Sequence, residues 1–157
     1  MRIKVLTFFV ISTLVFNYES FTYAGACWSG TLTTTHTTTE ACGVNNQKSS
    51  VGNGANLTIN HNISNNQGGG TGRNGDAMYV GGGGTIVINN NATIYSKSQF
   101  AIQIETGGIT LNNGADGVID SDGFRAIQWG GGATSGTIDN LGTVSYTHLT
   151  LPTILRV

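Results

Sequence analysis

Proline is all but missing: the 157 residues hold one, Pro152, close to the C-terminal end. Nothing therefore interrupts the backbone ladders of a sheet, whose central strands exclude proline. Charge is scarce too. Asp, Glu, Lys and Arg together make 10 %, and seven basic against eight acidic side chains leave a net charge of −1. Contacts with nucleic acid or an anionic membrane surface need clustered positive charge, which this chain lacks, and an acidic tail is excluded by the same balance. Strong helix formers do not occur in runs, which argues against helical bundles and Rossmann-type folds. What is abundant is glycine (24), threonine (22) and asparagine (16). The hydrophobic 38 % comes in short β-branched bursts, unlike the composition of disordered chains. Many short strands joined by tight turns are the expectation.

The one long apolar run, residues 5–16, follows Arg2 and Lys4 and leads to Ala24-Gly25-Ala26. A positive start, a short apolar stretch and small residues at the end are the layout of a secretory signal peptide over residues 1–26. Twelve positions are too few to span a bilayer, so no permanent anchor is expected there. Cleavage after Ala26 places Cys27 first, where a lipidated cysteine also sits, but Ala24 replaces the leucine of lipoprotein signals and ordinary export is the expectation. At the other end Val144-Ser145-Tyr146-Thr147-His148-Leu149-Thr150-Leu151-Pro152-Thr153 resembles nothing upstream. It reads as GTC TCT TAT ACA CAT CTG ACG CTG CCG ACG, which is similar to the transposase-end adapter of sequencing libraries. Ile154 and Val157 fit the codons flanking the sample index. Residues 144–157 are accordingly expected to be adapter-derived and the gene cut short. Between the ends, residues 27–143 carry four basic and seven acidic side chains and no proline.

That middle segment repeats. Ala77-Met78-Tyr79-Val80, Ala101-Ile102-Gln103-Ile104 and Ala126-Ile127-Gln128-Trp129 are spaced by 24 and 25 residues. A second element recurs as Leu57-Thr58-Ile59-Asn60, Ile86-Val87-Ile88-Asn89, Ile109-Thr110-Leu111-Asn112 and, partly, Thr137-Ile138-Asp139-Asn140. Apolar residues two apart project to one face of a strand. A third places Ile63-Ser64, Ile94-Tyr95-Ser96 and Ile119-Asp120-Ser121 a few residues later. Three short strands and three turns per period of about 25 residues predict an all-β parallel β-helix, in which each strand stacks on its counterpart one rung away. Hairpins have no need of a shared order of elements, which disfavours an antiparallel sandwich. Asn60, Asn89, Asn112 and Asn140, each following a strand, are the candidates for an asparagine ladder at a bend. The rungs are expected over 51–143, behind an N-terminal cap at 27–50.

A signal peptide, a cysteine pair near the mature N-terminus, and Gly- and Asn-rich rungs with phrases such as Gly136-Thr137-Ile138-Asp139-Asn140-Leu141-Gly142-Thr143 resemble the start of a bacterial autotransporter passenger of the type V secretion pathway. The resemblance implies a right-handed parallel β-helix displayed at the cell surface or secreted, export through the Sec machinery, and a C-terminal β-barrel translocator missing from this chain. It implies no cofactor. Host-cell or matrix surface molecules, or glycans, are the partners expected of such an adhesin or stalk, met by exposed Thr, Asn and aromatics such as Tyr95, Phe124 and Trp129. In an exported segment Cys27 and Cys42 are expected to pair, closing the cap around the tract Thr33-Thr34-Thr35-His36-Thr37-Thr38-Thr39.

Asp120-Ser121-Asp122-Gly123 is the constellation with chemical content. Carboxylates at i and i+2 share a strand face. With Asp116 they admit a Ca²⁺ site, and with Arg125, which could hold a uronate, the catalytic pair of a β-helical polysaccharide lyase or glycosidase. Ordinary turn chemistry is the competing reading. Gly70-Thr71-Gly72-Arg73-Asn74-Gly75 matches G-x-G-x-x-G, but a strand-like segment follows where a helix is required, and it departs from the calcium nonapeptide at Asn74. His36 and His61 lack a serine or carboxylate at informative spacing, and His61 is expected in an exposed turn. The glycosylation sequons at Asn56, Asn62 and Asn91 are the matches that an Asn- and Thr-rich chain yields by chance.

Overall fold

The computed structural model of the chain describes residues 27–43, 49–66, 72–130 and 135–146. The expected signal peptide and the tail beyond residue 146 lie outside the described residues, as do Gly70 and Thr71 of the glycine-rich match. Among the described residues, fifteen strands stack into three parallel sheets of five. Sheet A consists of β1 (Thr31–Leu32), β4 (Ser49–Val51), β7 (Met78–Val80), β10 (Ile102–Ile104) and β13 (Ile127–Trp129). Sheet B holds β2 (Thr35–Thr37), β5 (Asn56–Ile59), β8 (Ile86–Asn90), β11 (Ile109–Asn113) and β14 (Gly136–Asn140). Sheet C holds β3 (Cys42–Gly43), β6 (Ile63–Asn65), β9 (Thr93–Ser96), β12 (Val118–Ser121) and β15 (Thr143–Tyr146). One strand from each sheet makes a turn of a parallel β-solenoid, and five turns stack.

The core follows from the period of two along each strand and the register between rungs. On sheet A, Met78, Ile102 and Ile127 align, as do Leu32, Val51, Val80, Ile104 and Trp129. Sheet B turns inward the column Leu57, Ile88, Leu111 and Ile138, and sheet C the column Cys42, Ile63, Ile94, Ile119 and Val144. In the middle rungs these side chains are fully buried, and each Ile or Leu so placed contributes roughly 1.5–3 kcal/mol of hydrophobic free energy. No single rung could bury them. The apolar faces of three short strands close only on the rungs above and below.

Two boundaries and the register of one sheet differ from the sequence expectation. The stretch read as a cap contains a full turn of the solenoid: β1, β2 and β3 each pair with the next rung, and the boundary at residue 50 falls inside β4. Its threonines hide the apolar pattern, for His36 takes the inward place that Leu57 fills one rung on. The boundary at residue 143 likewise falls inside β15, whose Val144, Ser145 and Tyr146 lie in register with Ile119, Asp120 and Ser121. In sheet B, Leu57 pairs with Ile88 and not Ile86, and Leu111 pairs with Ile138. The first is a two-residue offset, which keeps the same face inward because side chains alternate with a period of two, and the second a one-residue offset, which carries Asn140 out of the row of Asn112. The turn from β6 to β7 is longer than its counterparts, and the described end of the glycine-rich match forms a short 3-10 turn there, Gly72–Gly75. The Asn65 amide ties the base of this excursion by donating to the Asn74 and Asp76 carbonyls at 3.0 and 2.9 Å.

A tryptophan lies at each end of the stack. Trp28 packs on the first rung, its indole N–H donating to the Ser50 carbonyl at 2.7 Å and its ring meeting His36 edge-on at 5.7 Å. Trp129, expected among the outward aromatics, instead occupies an inward column and lies over Gly136, filling the space where Ile86 and Ile109 stand in the rungs below. Cys27 and Cys42 form a disulfide across the first turn, Cα to Cα 5.3 Å, with the Ser49 hydroxyl 3.3 Å from the Cys27 sulfur. It closes a 15-residue loop, for which loop entropy gives about 3 kcal/mol. The double variant Cys27→Ser/Cys42→Ser is expected to lower the free energy of urea unfolding by that amount. An unchanged midpoint would show that the first turn stands without the bridge.

Candidate functional site

Sheet C presents the acids. Along β12 the side chains of Val118 and Asp120 point outward and those of Ile119 and Ser121 inward, and Asp122 follows on the outer side. The alternation is that of any strand, so Asp120 and Asp122 do share a face. Each carboxylate is held by a hydroxyl from an adjacent rung. Tyr95 O–H donates to Asp122 Oδ2 at 2.6 Å, and Ser145 O–H to Asp120 Oδ1 at 2.6 Å. The outcome is a shallow, solvent-facing patch of two acids, a phenol and an alcohol spread over three rungs.

The other members of the two candidate sites are elsewhere. Asp116 is exposed in the turn before β12, four residues from Asp120. It does not close a calcium cage with Asp120 and Asp122, and among the described residues no three His, Cys, Asp or Glu gather to hold a metal ion. Arg125 lies past the bend that follows Asp122. Its guanidinium sits 5.6 Å from the Phe124 ring and bonds the Gln128 side chain on sheet A. Phe124, exposed as expected, meets Phe100 edge-on at 5.4 Å. The turn after Ser121 thus takes Arg125 to the next face of the solenoid, which sequence spacing alone could not reveal.

The asparagines make two ladders where one was expected. Asn89 and Asn112 are neighbours on the outer face, the Asn112 amide donating a hydrogen bond to Asn89 Oδ1 at 2.8 Å, but the residue above them is Asp139. Asn60 belongs beside Asn91, whose amide donates to it at 3.1 Å. Asn140, itself exposed, ends a column that continues through the buried Asn113 and Asn90, one residue further along each strand. Asn90 donates to Asn113 Oδ1 at 2.7 Å and Asn113 to Asn140 Oδ1 at 2.8 Å, while Asn113 also reaches the Gly117 carbonyl at 3.1 Å. The column is thereby tied to the turn from sheet B to sheet C: Asn113 adds a second donor to the Gly117 carbonyl, which also accepts from Thr143 N–H at 2.9 Å, and Asn90 donates to the Val118 carbonyl at 3.3 Å. A serine column does the same at the turn from sheet C to sheet A. Ser96 and Ser121 donate to the Gly75 and Gln99 carbonyls one rung below and accept from the amides of Gln99 and Phe124. The recurring Ile-x-Ser phrase was the signal for this column.

His61 is exposed in its turn, its Nδ1 3.0 Å from the Thr38 carbonyl oxygen. Asp76 went unremarked in the sequence: it is fully buried at the start of β7, and Phe100 N–H donates to its Oδ1 at 3.3 Å. Also unforeseen is a linked outward group on sheet A, where Tyr79 O–H donates to Glu105 Oε2 at 3.2 Å and the Gln103 amide to Glu105 Oε1 at 2.6 Å. Compared with known proteins, the chain matches no family model, no curated protein and no solved structure.

Proposed function

We propose that the chain is an exported β-solenoid that serves as a non-catalytic stalk or adhesin, in the manner of an autotransporter passenger. The observation that carries this reading is the set of outward rows. Thr58, Asn89, Asn112 and Asp139 run along sheet B, with Val87, Thr110 and Thr137 beside them, and Ser64, Tyr95, Asp120 and Ser145 run along sheet C. Parallel stacking repeats these short polar side chains at the interstrand distance of roughly 4.8 Å, so an extended partner meets similar groups rung after rung. The disulfide fits an oxidising compartment. The leader-like residues 1–26 fit export.

Expression of the full chain in a bacterium with two membranes, followed by fractionation and thiol labelling, is the test. The expected product lies outside the inner membrane and takes up no maleimide until reduced. Reduced, cytosolic protein would overturn the reading. The glycan-cleaving alternative rests on Asp120 and Asp122 sharing one outward face beside Tyr95. Assays on neutral and acidic polysaccharides are expected to show no turnover. Turnover that vanishes in Asp120→Ala and Asp122→Ala would establish the enzyme in its place.

A further inference from the structure

We propose that the outward surface of sheet A, where the first three rungs turn toward sheet B, is a binding cleft for an uncharged oligosaccharide. The chemistry is read from the cleft's lining and does not depend on where the chain is displayed. The cleft measures about 460 Å³, within the range of small-ligand sites. Its lining is Thr31, Thr33, Ser50, Asn53 and Tyr79, with Val51 and the backbones of Gly52, Gly81 and Gly82 between them.

Two glycines open it. Gly52 N–H bonds the Leu32 carbonyl and Gly81 N–H the Val51 carbonyl, so the two continue the ladder of sheet A one above the other. Neither has the positive φ found at Gly82, Gly83 and Gly84, so the backbone itself does not demand glycine at these positions. What a side chain would displace is the lining. A Cβ on Gly52 would come 2.7 Å from the Thr31 methyl, and one on Gly81 2.7 Å from the Tyr79 ring. Tyr79 reaches across Gly81 and is fastened there by Glu105, which Gln103 holds in turn. The aromatic wall is therefore set before a ligand arrives, which removes part of the ordering cost of binding.

The lining fits a sugar better than other small ligands. Three alcohols and an amide supply both donors and acceptors, and one aromatic side chain offers apolar surface with a polar tip. None of the lining side chains carries a formal charge. A uronate, sulfate or phosphate would find no Lys or Arg to neutralise it there. Hydroxyl groups in directions set by a ring, alternating with C–H surface, match that inventory.

The test is titration of the whole chain with maltohexaose, cellohexaose, laminarihexaose and mannohexaose, and with the hexamers of polygalacturonate and hyaluronan, followed by calorimetry and by amide NMR shifts. At least one neutral hexaose is expected to bind and to shift the amides of Gly52, Asn53, Gly81 and Gly82. Tyr79→Ala and Asn53→Ala are each expected to weaken it by about tenfold. Tyr79→Phe keeps the ring and most of the affinity, and Lys97→Ala, on the far side of the rung, leaves it unchanged. Gly52→Val fills the cleft and abolishes binding. Circular dichroism identical to the parent separates a lost site from a lost fold, and Tyr79→Ala, an outward truncation, serves where Gly52→Val fails to fold. Binding of none of the neutral hexaoses at millimolar concentration, preference for the acidic ones, or indifference to Tyr79→Ala and Asn53→Ala would each overturn the proposal.

Discussion

Replacing Asn113 by alanine is expected to cost about 3 kcal/mol of folding free energy, while the same change at its neighbour Asn112 costs less than about 1 kcal/mol. The two residues are adjacent on β11 and chemically identical, so the difference isolates burial. Asn113 is 1 % exposed and its side chain joins Asn90, Gly117 and Asn140. Its loss leaves the Gly117 carbonyl without that donor and Asn90 without its best acceptor, in a site water does not reach. Asn112 donates a side-chain hydrogen bond to Asn89 on the outer face, where water replaces it. Urea unfolding decides the matter, with the midpoint moving and the slope held. Asn113→Ile is expected not to restore stability, although Ile59 stands two rungs below in the same column, because an apolar side chain cannot donate to the turn. Equal costs at 112 and 113, or rescue by isoleucine, would reduce the buried column to mere filling.

The second large effect is expected at Gly108. Its φ is +77°, a conformation that costs a side-chain-bearing residue roughly 1–2 kcal/mol. An alanine Cβ there would also press into the carbonyl oxygen of Gly84 in the rung below. Backbone cannot swing aside as a flexible side chain can, so the two rungs must separate locally, and Gly108→Ala is expected to lose about 3 kcal/mol or more. Gly30 provides the control. It has φ +69° but nothing within 4 Å of an added Cβ, so Gly30→Ala bears only the conformational part, about 1 kcal/mol. Thermal melts of the two variants side by side measure the close approach itself. Equal shifts would mean that the rungs are not held at contact distance at this corner.

The solenoid was legible because stacking imposes one rule on every rung: the same face inward, at a nearly constant period. Met78, Ile102 and Ile127, or Ile94 and Ile119, announce their columns by type and spacing. Register within a column was less legible, since the turns absorb unequal numbers of residues. Ile59 and Asn90 share a column although the sequence aligns Ile59 with Ile88. A separate one-residue slip at β14, which pairs Asn112 with Asp139, moved Asn140 from the outer ladder into the column of Asn90 and Asn113. The first rung was hidden because His36 takes the inward place that Leu57 fills one rung on, while Thr35 and Thr37 beside it face outward, so β2 shows no apolar alternation. At the acidic patch, the period of two placed Asp120 and Asp122 together. No periodicity extends through the bend after Ser121, so the separation of Arg125 from both was open until the chain's path was known. The sheet A cleft had no sequence signal. It arises from two glycines that look like any others in a glycine-rich chain.

The placement of the two tryptophans bears on how the molecule's unfolding can be watched. Trp28 and Trp129 are the only ones in the chain, and they sit in the first and last strand rows of sheet A, beside β1 and within β13. In a stack where each rung contacts only its neighbours, the ends open at lower free energy than the middle. Indole fluorescence is then a gauge of fraying at two termini, blind to the three rungs between, whereas far-ultraviolet dichroism weighs all five. The gap between the two signals measures cooperativity along the axis: coincident curves mean that the solenoid opens as one unit, and an earlier optical change means that it unzips.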